Sequence, residues 1–255
     1  MAKTFFKILI FSALGISTLS NAQLFRTKDR MENREGMDDL KFSYGFYLAG
    51  NNFDYKLVLD PKYGMENQKN LVQVKSSYSF GAGLIGKMRL NENFDLRLEP
   101  GLQFVQRDIT FNTDENTEEA FFSETPDFSE ADRNRTVKST YVDIPLLLEF
   151  HGDRWYNSRP YAAAGVNWML NLQSNNKSLD DNQQGIFRTT SSNFAWSAEI
   201  GMQFYFSRFK LTPAFRGTFM INNEMVADNP GTPPYWAGAI STAKTRALMF
   251  VLKFE

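Results

Sequence analysis

The sequence predicts an all-β protein: an eight-stranded antiparallel transmembrane β-barrel of the outer-membrane type, with a filled lumen. Three observations lead there. One hairpin alternates apolar and other residues with strict period two, short turns alternate with long polar connections, and no apolar run approaches the roughly 18 residues of a membrane helix. From Phe194 to Phe206 every second residue is apolar (Phe194, Trp196, Ala198, Ile200, Met202, Phe204, Phe206), and after Ser207-Arg208 the alternation resumes from Phe209 to Ile221. Successive side chains of a strand point to opposite faces, so this hairpin has two unlike faces. Strands of soluble proteins usually run to about 5–6 residues. A strand that crosses a bilayer needs roughly 9–11, with lipid on one face and polar side chains on the other.

Taken in order, residues 1–22 carry Lys3 and Lys7, an apolar centre from Ile8 to Leu14 and the small-residue ending Ser20-Asn21-Ala22. That three-part layout reads as a cleavable secretory signal rather than as a helix of the mature fold. Cleavage removes Lys3 and Lys7 and takes the formal net charge from -1 to -3. Residues 23–39 are dense in both charge signs, with little to bury, and read as a flexible periplasmic leader; docking to a periplasmic partner is the functional alternative.

Residues 40–255 form the barrel. Its strands are expected at about Leu40–Leu59, Leu71–Leu90, Phe94–Phe111, Lys138–Phe150, Pro160–Gln173, Asn193–Phe206, Phe209–Asn222 and Ser241–Glu255. The connections Asn91–Asn93, His151–Arg159 and Ser207-Arg208 are short. Those at Asp60–Asn70, Asn112–Val137, Ser174–Ser192 and Asn223–Ile240 are long and polar. Short turns on one rim and long loops on the other are the habit of outer-membrane barrels. A soluble lipocalin-type barrel has the same strand number but turns its apolar residues inward around a ligand.

Period two assigns the faces. Phe94, Leu96, Leu98, Leu102 and Phe104, then Val142, Ile144, Leu146, Leu148 and Phe150, then Leu248, Phe250, Leu252 and Phe254 face lipid. Arg97, Glu99, Asp143, Glu149, Glu199 and Arg216 then point inward, as a charged network in a lumen that eight strands leave just wide enough for side chains. Phe94, Phe150, Trp155, Tyr156, Tyr161, Phe204, Phe206, Phe209 and Phe254 gather at strand ends, as an interfacial girdle would. Pro100, Pro145 and Pro213 each remove a ladder donor, and bulges are expected there.

Composition excludes several functions. Lys+Arg 28 against Asp+Glu 29 offers no electrostatic case for nucleic acid, and the absence of cysteine removes disulfides, thiolate metal sites and cysteine nucleophiles. His151 is the sole histidine and falls in a short turn, where a surface position is expected; a Ser/His/Asp machine inside the barrel is thereby excluded. Glu149 and Glu199 are inward carboxylates of the kind alternating strands supply automatically. No catalytic residue, cofactor site, metal site or small-molecule substrate is expected. The loop Asn112–Val137 sets Phe121, Phe122 and Phe128 among eight carboxylates without calcium-loop spacing. A solvated loop or lid and a partner-binding site both fit it.

Three runs carry a family resemblance: Leu96-Arg97-Leu98-Glu99-Pro100-Gly101-Leu102, Lys138-Ser139-Thr140-Tyr141-Val142-Asp143-Ile144-Pro145-Leu146-Leu147-Leu148, and Arg159-Pro160-Tyr161-Ala162-Ala163-Ala164-Gly165. Together they resemble the PorT family of outer-membrane barrels, most closely its branch in type IX secretion and gliding motility. The similarity spans about the second to the sixth strand. It implies a non-enzymatic component of the outer membrane, in contact with lipid and other secretion-machinery proteins and with both termini periplasmic. The implied role is export of proteins that bear a C-terminal sorting domain. The alternative is a structural or adhesive PorT-like barrel without a role in secretion.

Overall fold

A computed structural model describes residues 33–34, 36–66, 69–111 and 130–255. The signal peptide, most of the charged leader and Phe121, Phe122 and Phe128 lie outside the described residues. The strands are β1 (Phe42–Leu59), β2 (Met65–Glu66), β3 (Lys69–Asn70), β4 (Val72–Ser76), β5 (Tyr78–Arg89), β6 (Phe94–Leu98), β7 (Gly101–Phe111), β8 (Asn134–His151), β9 (Ser158–Asn171), β10 (Ser192–Tyr205), β11 (Lys210–Met220) and β12 (Ile240–Phe254). β2 and β3 form a small hairpin of their own. The rest make one antiparallel sheet that closes on itself when β1 pairs with both β12 and β5. Since β4 continues into β5 and β6 into β7, the ring has eight staves.

Alternation holds around the ring. Asp95, Arg97, Glu99, Gln103, Tyr141, Asp143 and Glu149 are buried on the inner face, and Leu98, Leu102, Phe104, Leu146, Leu148 and Phe150 are exposed on the outer face. One extra residue is needed to keep it. Ser76 pairs with Arg107 but Gly81 pairs with Gln103, so the chain gains a residue at Ser77. Val72 is therefore buried although the even-numbered Phe80 and Leu84 below it are exposed.

The three prolines do not create bulges. Register is unchanged across Pro145 in β8–β9 and across Pro213 in β11–β12. Leu98 and Gly101 also keep one register with β8 on either side of Pro100. What proline does instead is interrupt the strand between β6 and β7. There the Glu99 N–H donates to the Pro145 carbonyl at 3.1 Å and the Leu84 N–H to the Pro100 carbonyl at 2.9 Å, and neither proline can return a bond.

His151 is a second correction. It is the last residue of β8, is buried, and sets Nε2 3.3 Å from the Asp95 carboxylate. Tyr161, expected in the girdle, is buried on the inner face, whereas Phe150, Trp155, Tyr156, Phe206 and Phe209 are exposed. The end of the leader is placed rather than free: Asn33 N–H donates to Asn157 at 2.8 Å, Asp39 pairs with Arg89 at 2.8 Å, and the Tyr205 hydroxyl donates to Asp38 at 2.8 Å. This segment crosses under the short-turn rim.

At the other rim the connections after β9 and β11 fold inward. They deliver Phe187 and Trp236 into an apolar cluster with Tyr55, Ile109, Phe111 and Ala243. Gly165 leaves no room for a side chain, since a Cβ there would meet the Leu146 carbonyl oxygen at 2.0 Å, whereas at Gly50 it would meet nothing within 4 Å. Gly165→Val is expected to destabilise the barrel by at least about 2 kcal/mol through overpacking, and Gly50→Ala to be tolerated. Heat-modifiable mobility on gels, with urea midpoints in vesicles, checks both.

Candidate functional site

The inner faces of the staves bring ionisable side chains together at the end nearest the short turns. Arg97 and Glu99 come from the β6–β7 stave, Glu149 from β8, Glu199 from β10, Lys210 and Arg216 from β11, and Lys253 from β12, with Glu255 just beyond it. Arg97 Nη1 lies 2.6 Å from Glu149, and Arg97 also pairs with Glu255. Lys210 Nζ is 2.6 Å from Glu255. Lys253 Nζ is 2.7 Å from Glu99 and also pairs with Glu199. Arg216 donates from Nε to Glu199 at 2.7 Å and pairs with Glu99. Tyr161 donates its hydroxyl to Glu199 at 2.6 Å, and Gln203 donates to Glu149 at 2.6 Å. Four cations thus balance four carboxylates, all closed to solvent.

Of the residues expected inside, Arg97, Glu99, Glu149, Glu199 and Arg216 meet in this network. Asp143 does not join it. It sits a level higher, where Asn167 donates to its Oδ1 at 2.8 Å and Ser197 donates on to Asn167 at 2.7 Å. Lys210, Lys253 and Glu255 are the partners that sequence reasoning missed, although Lys210 and Lys253 alternate with apolar residues as Arg216 does. A further level was unforeseen. Arg107 donates to Thr245 at 2.7 Å and to the Tyr141 hydroxyl at 2.8 Å, and Tyr141 donates to Glu224 at 3.0 Å. Glu224 belongs to the connection after β11, so no strand period could have revealed it.

The two infolded loops are held by Asp181 and Asp228. Burial acts to raise the Asp181 carboxyl, but donation from Thr232, the Asn229 N–H and the Gln183 N–H outweighs it and holds the group below its ordinary range. At Asp228 burial prevails over bonds from Asn182 and the Ala237 N–H, and the carboxyl is raised.

The arrangement suits mechanical and electrostatic organisation. Each of the inward carboxylates Glu149 and Glu199 is bound by cations and neutral donors, and the described residues hold no cluster of His, Cys, Asp and Glu suited to a metal ion.

A closed antiparallel ring with an apolar outer face and a charged interior defines the class of β-barrels that span outer membranes. The family model for the outer membrane protein beta-barrel domain matches residues 21–226, and the chain belongs to that family. The outer membrane is its location. Among solved structures the chain is similar to the outer membrane protein OprG from Pseudomonas aeruginosa, at 13% identity over 82% of this chain and 93% of that one, with a TM-score of 0.39. It is similar to the outer membrane protein AlkL at 14% identity over 83% and 88%, with a TM-score of 0.43. It is also similar to Ail, the attachment invasion locus protein of Yersinia pestis, at 9% identity over 84% and 99%, with a TM-score of 0.37. Comparison with curated proteins finds no match.

Removing one partner from a buried ion network strands the other charge. Lys253→Met is expected to destabilise the barrel by about 3–5 kcal/mol, and adding Glu99→Gln to recover a good part of that. Urea unfolding in lipid vesicles measures this cycle. In the loops, Asp181 contributes stability above its unfolded pKa that is lost as pH falls through its depressed folded pKa, whereas Asp228, raised, costs stability near neutrality and less on acidification. Asp181→Asn should therefore speed proteolysis of these loops at pH 7 and Asp228→Asn should slow it, as cleavage rates would report.

Proposed function

We propose that this protein is a non-enzymatic component of the type IX secretion and gliding machinery, needed for export of proteins bearing a C-terminal sorting domain. The observation that carries the reading is where the three PorT-like runs fall. Leu98 pairs with Leu146 and Leu147 with Gly165, so the runs occupy neighbouring staves. They supply Arg97 and Glu99 to the ion network, the Pro100 and Pro145 interruption, and the Gly165 contact with the Leu146 carbonyl. The resemblance thus includes residues that build the interior as well as the wall around it.

In this reading the lumen is filled, and the barrel is a fixture to which other machinery proteins attach rather than a conduit. The charge-balanced network near one rim, and Phe187 and Trp236 near the other, support that view. Both termini are periplasmic, which puts the segment under the short-turn rim on the periplasmic side and the long loops outside the cell. The loop bearing Phe121, Phe122 and Phe128 is a docking element for a machinery partner.

The test is a clean deletion strain beside its complemented counterpart, with surface and secreted proteins carrying the C-terminal sorting domain quantified by mass spectrometry. Accumulation of those proteins in the periplasm, reversed on complementation, is expected. Unchanged export would leave a structural or adhesive barrel. The purified protein in planar bilayers is expected to give no large, steady conductance.

A further inference from the structure

The outer face changes character along β12. Leu248, Phe250, Leu252 and Phe254 are apolar, and the next outward residues toward the long loops are Arg246 and Lys244. On the neighbouring β1, Phe46 and Leu48 give way to Asn52, Asp54 and Lys56. Tyr78, opposite Asn52 and 91% exposed, sets a phenol at this same boundary, as interfacial aromatics do.

Just above that boundary the register makes two unlike rungs. Arg246 lies opposite Asp54 and pairs with it at 2.6 Å. One rung higher, Lys56 lies directly opposite Lys244. Like charges directly opposed on an antiparallel pair destabilise it. On β4, Lys75 lies directly opposite Asp108 of β7 and so stands apart from this pair. Neither Lys56 nor Lys244 has an ion-pair partner among the described residues, and the nearby Asp54 is already engaged by Arg246.

Depth identifies the anion that suits this pair. Lys244 is four residues beyond Leu248, about 13 Å along the strand. With a strand tilt of roughly 35–45°, that is about 10 Å above Leu248, the last apolar residue on the outer face of β12. Lysine stems lie along apolar surface while their ammonium groups stay at the headgroup level. An anion that stays at this depth, beside a lipid-facing wall, is a phosphate carried by a membrane lipid.

We infer that Lys56 and Lys244 form a binding site for the phosphates of an outer-leaflet phosphorylated glycolipid of the lipid A type. The assignment to the outer leaflet rests on the reading that places the long loops outside the cell.

The test uses the full-length protein in detergent micelles, titrated with bisphosphorylated lipid A, its dephosphorylated form and inorganic phosphate, with bound lipid read by native mass spectrometry. The bisphosphorylated form is expected to bind, and the Lys56→Gln, Lys244→Gln double variant to lose affinity by roughly tenfold or more. Lys56→Glu keeps the fold testable, because glutamate would pair with Lys244; it should raise the urea midpoint and still lose lipid. Equal binding of the dephosphorylated form, unchanged affinity in Lys56→Glu, or displacement by equimolar inorganic phosphate would overturn the site. Orientation is read separately from Asn176→Cys in this cysteine-free chain, using a membrane-impermeant maleimide on intact cells. Labelling is expected. Its absence, with lipid binding intact, would overturn the outer-leaflet assignment and the orientation while leaving the lysine pair a phosphate site.

Discussion

Closure of the backbone ladder is the constraint on which the rest of this barrel depends. In hydrocarbon an unpaired N–H or carbonyl costs several kcal/mol, so the sheet has to meet itself, as β1 does with β12 and β5. Once the ring is closed, inside and outside are defined for every residue, and a stave one residue out of step would turn its apolar side chains into the interior. Ser77 shows how little slack this leaves. Below it Phe80 and Leu84 face outward on even numbers, and above it Val72 faces inward on an even number. A single inserted residue reconciles the two halves of one stave.

The interior then has to accommodate what the inner face carries. Eight buried ionisable groups would each lose several kcal/mol of hydration, and geometry recovers that only when every carboxylate meets a cation. Glu99 and Glu199 share Lys253 and Arg216, while Glu149 and Glu255 share Arg97. Most members thus hold two partners of opposite charge. The chemistry changes toward the long-loop rim, where neutral hydrogen bonds around Asn167 and Ser197 give way to Arg107, Tyr141 and Glu224, and finally to the apolar cluster under Phe187 and Trp236.

Strand number, face assignment and most of the ion network were legible because period two is a backbone property. Arg97, Glu99, Glu149, Glu199 and Arg216 could be placed inward by counting from neighbouring Leu and Phe residues. Counting could not place what depends on three-dimensional proximity. His151 reads as a turn residue until β8 is seen to continue one step beyond Phe150, bringing the ring against Asp95. Asp143 has the right parity but the wrong height. Glu224, Phe187 and Trp236 come from polar-looking connections whose inward course has no periodic signature. The prolines misled for a different reason: a bulge is one way to lose a donor, and a short break between strands is another.

That break gives the cylinder a direction of weakness. At Pro100 and Pro145 successive rungs on the two sides of one stave each hold by a single bond, 2.9 Å to Leu84 and 3.1 Å to Glu99. The meeting of the first and last strands, by contrast, is laddered from Phe46 to Leu59. A hoop under tension parts at its thinnest link. Lateral force on this wall would concentrate beside the stave that carries Arg97 and Glu99, away from the join between the chain's two ends.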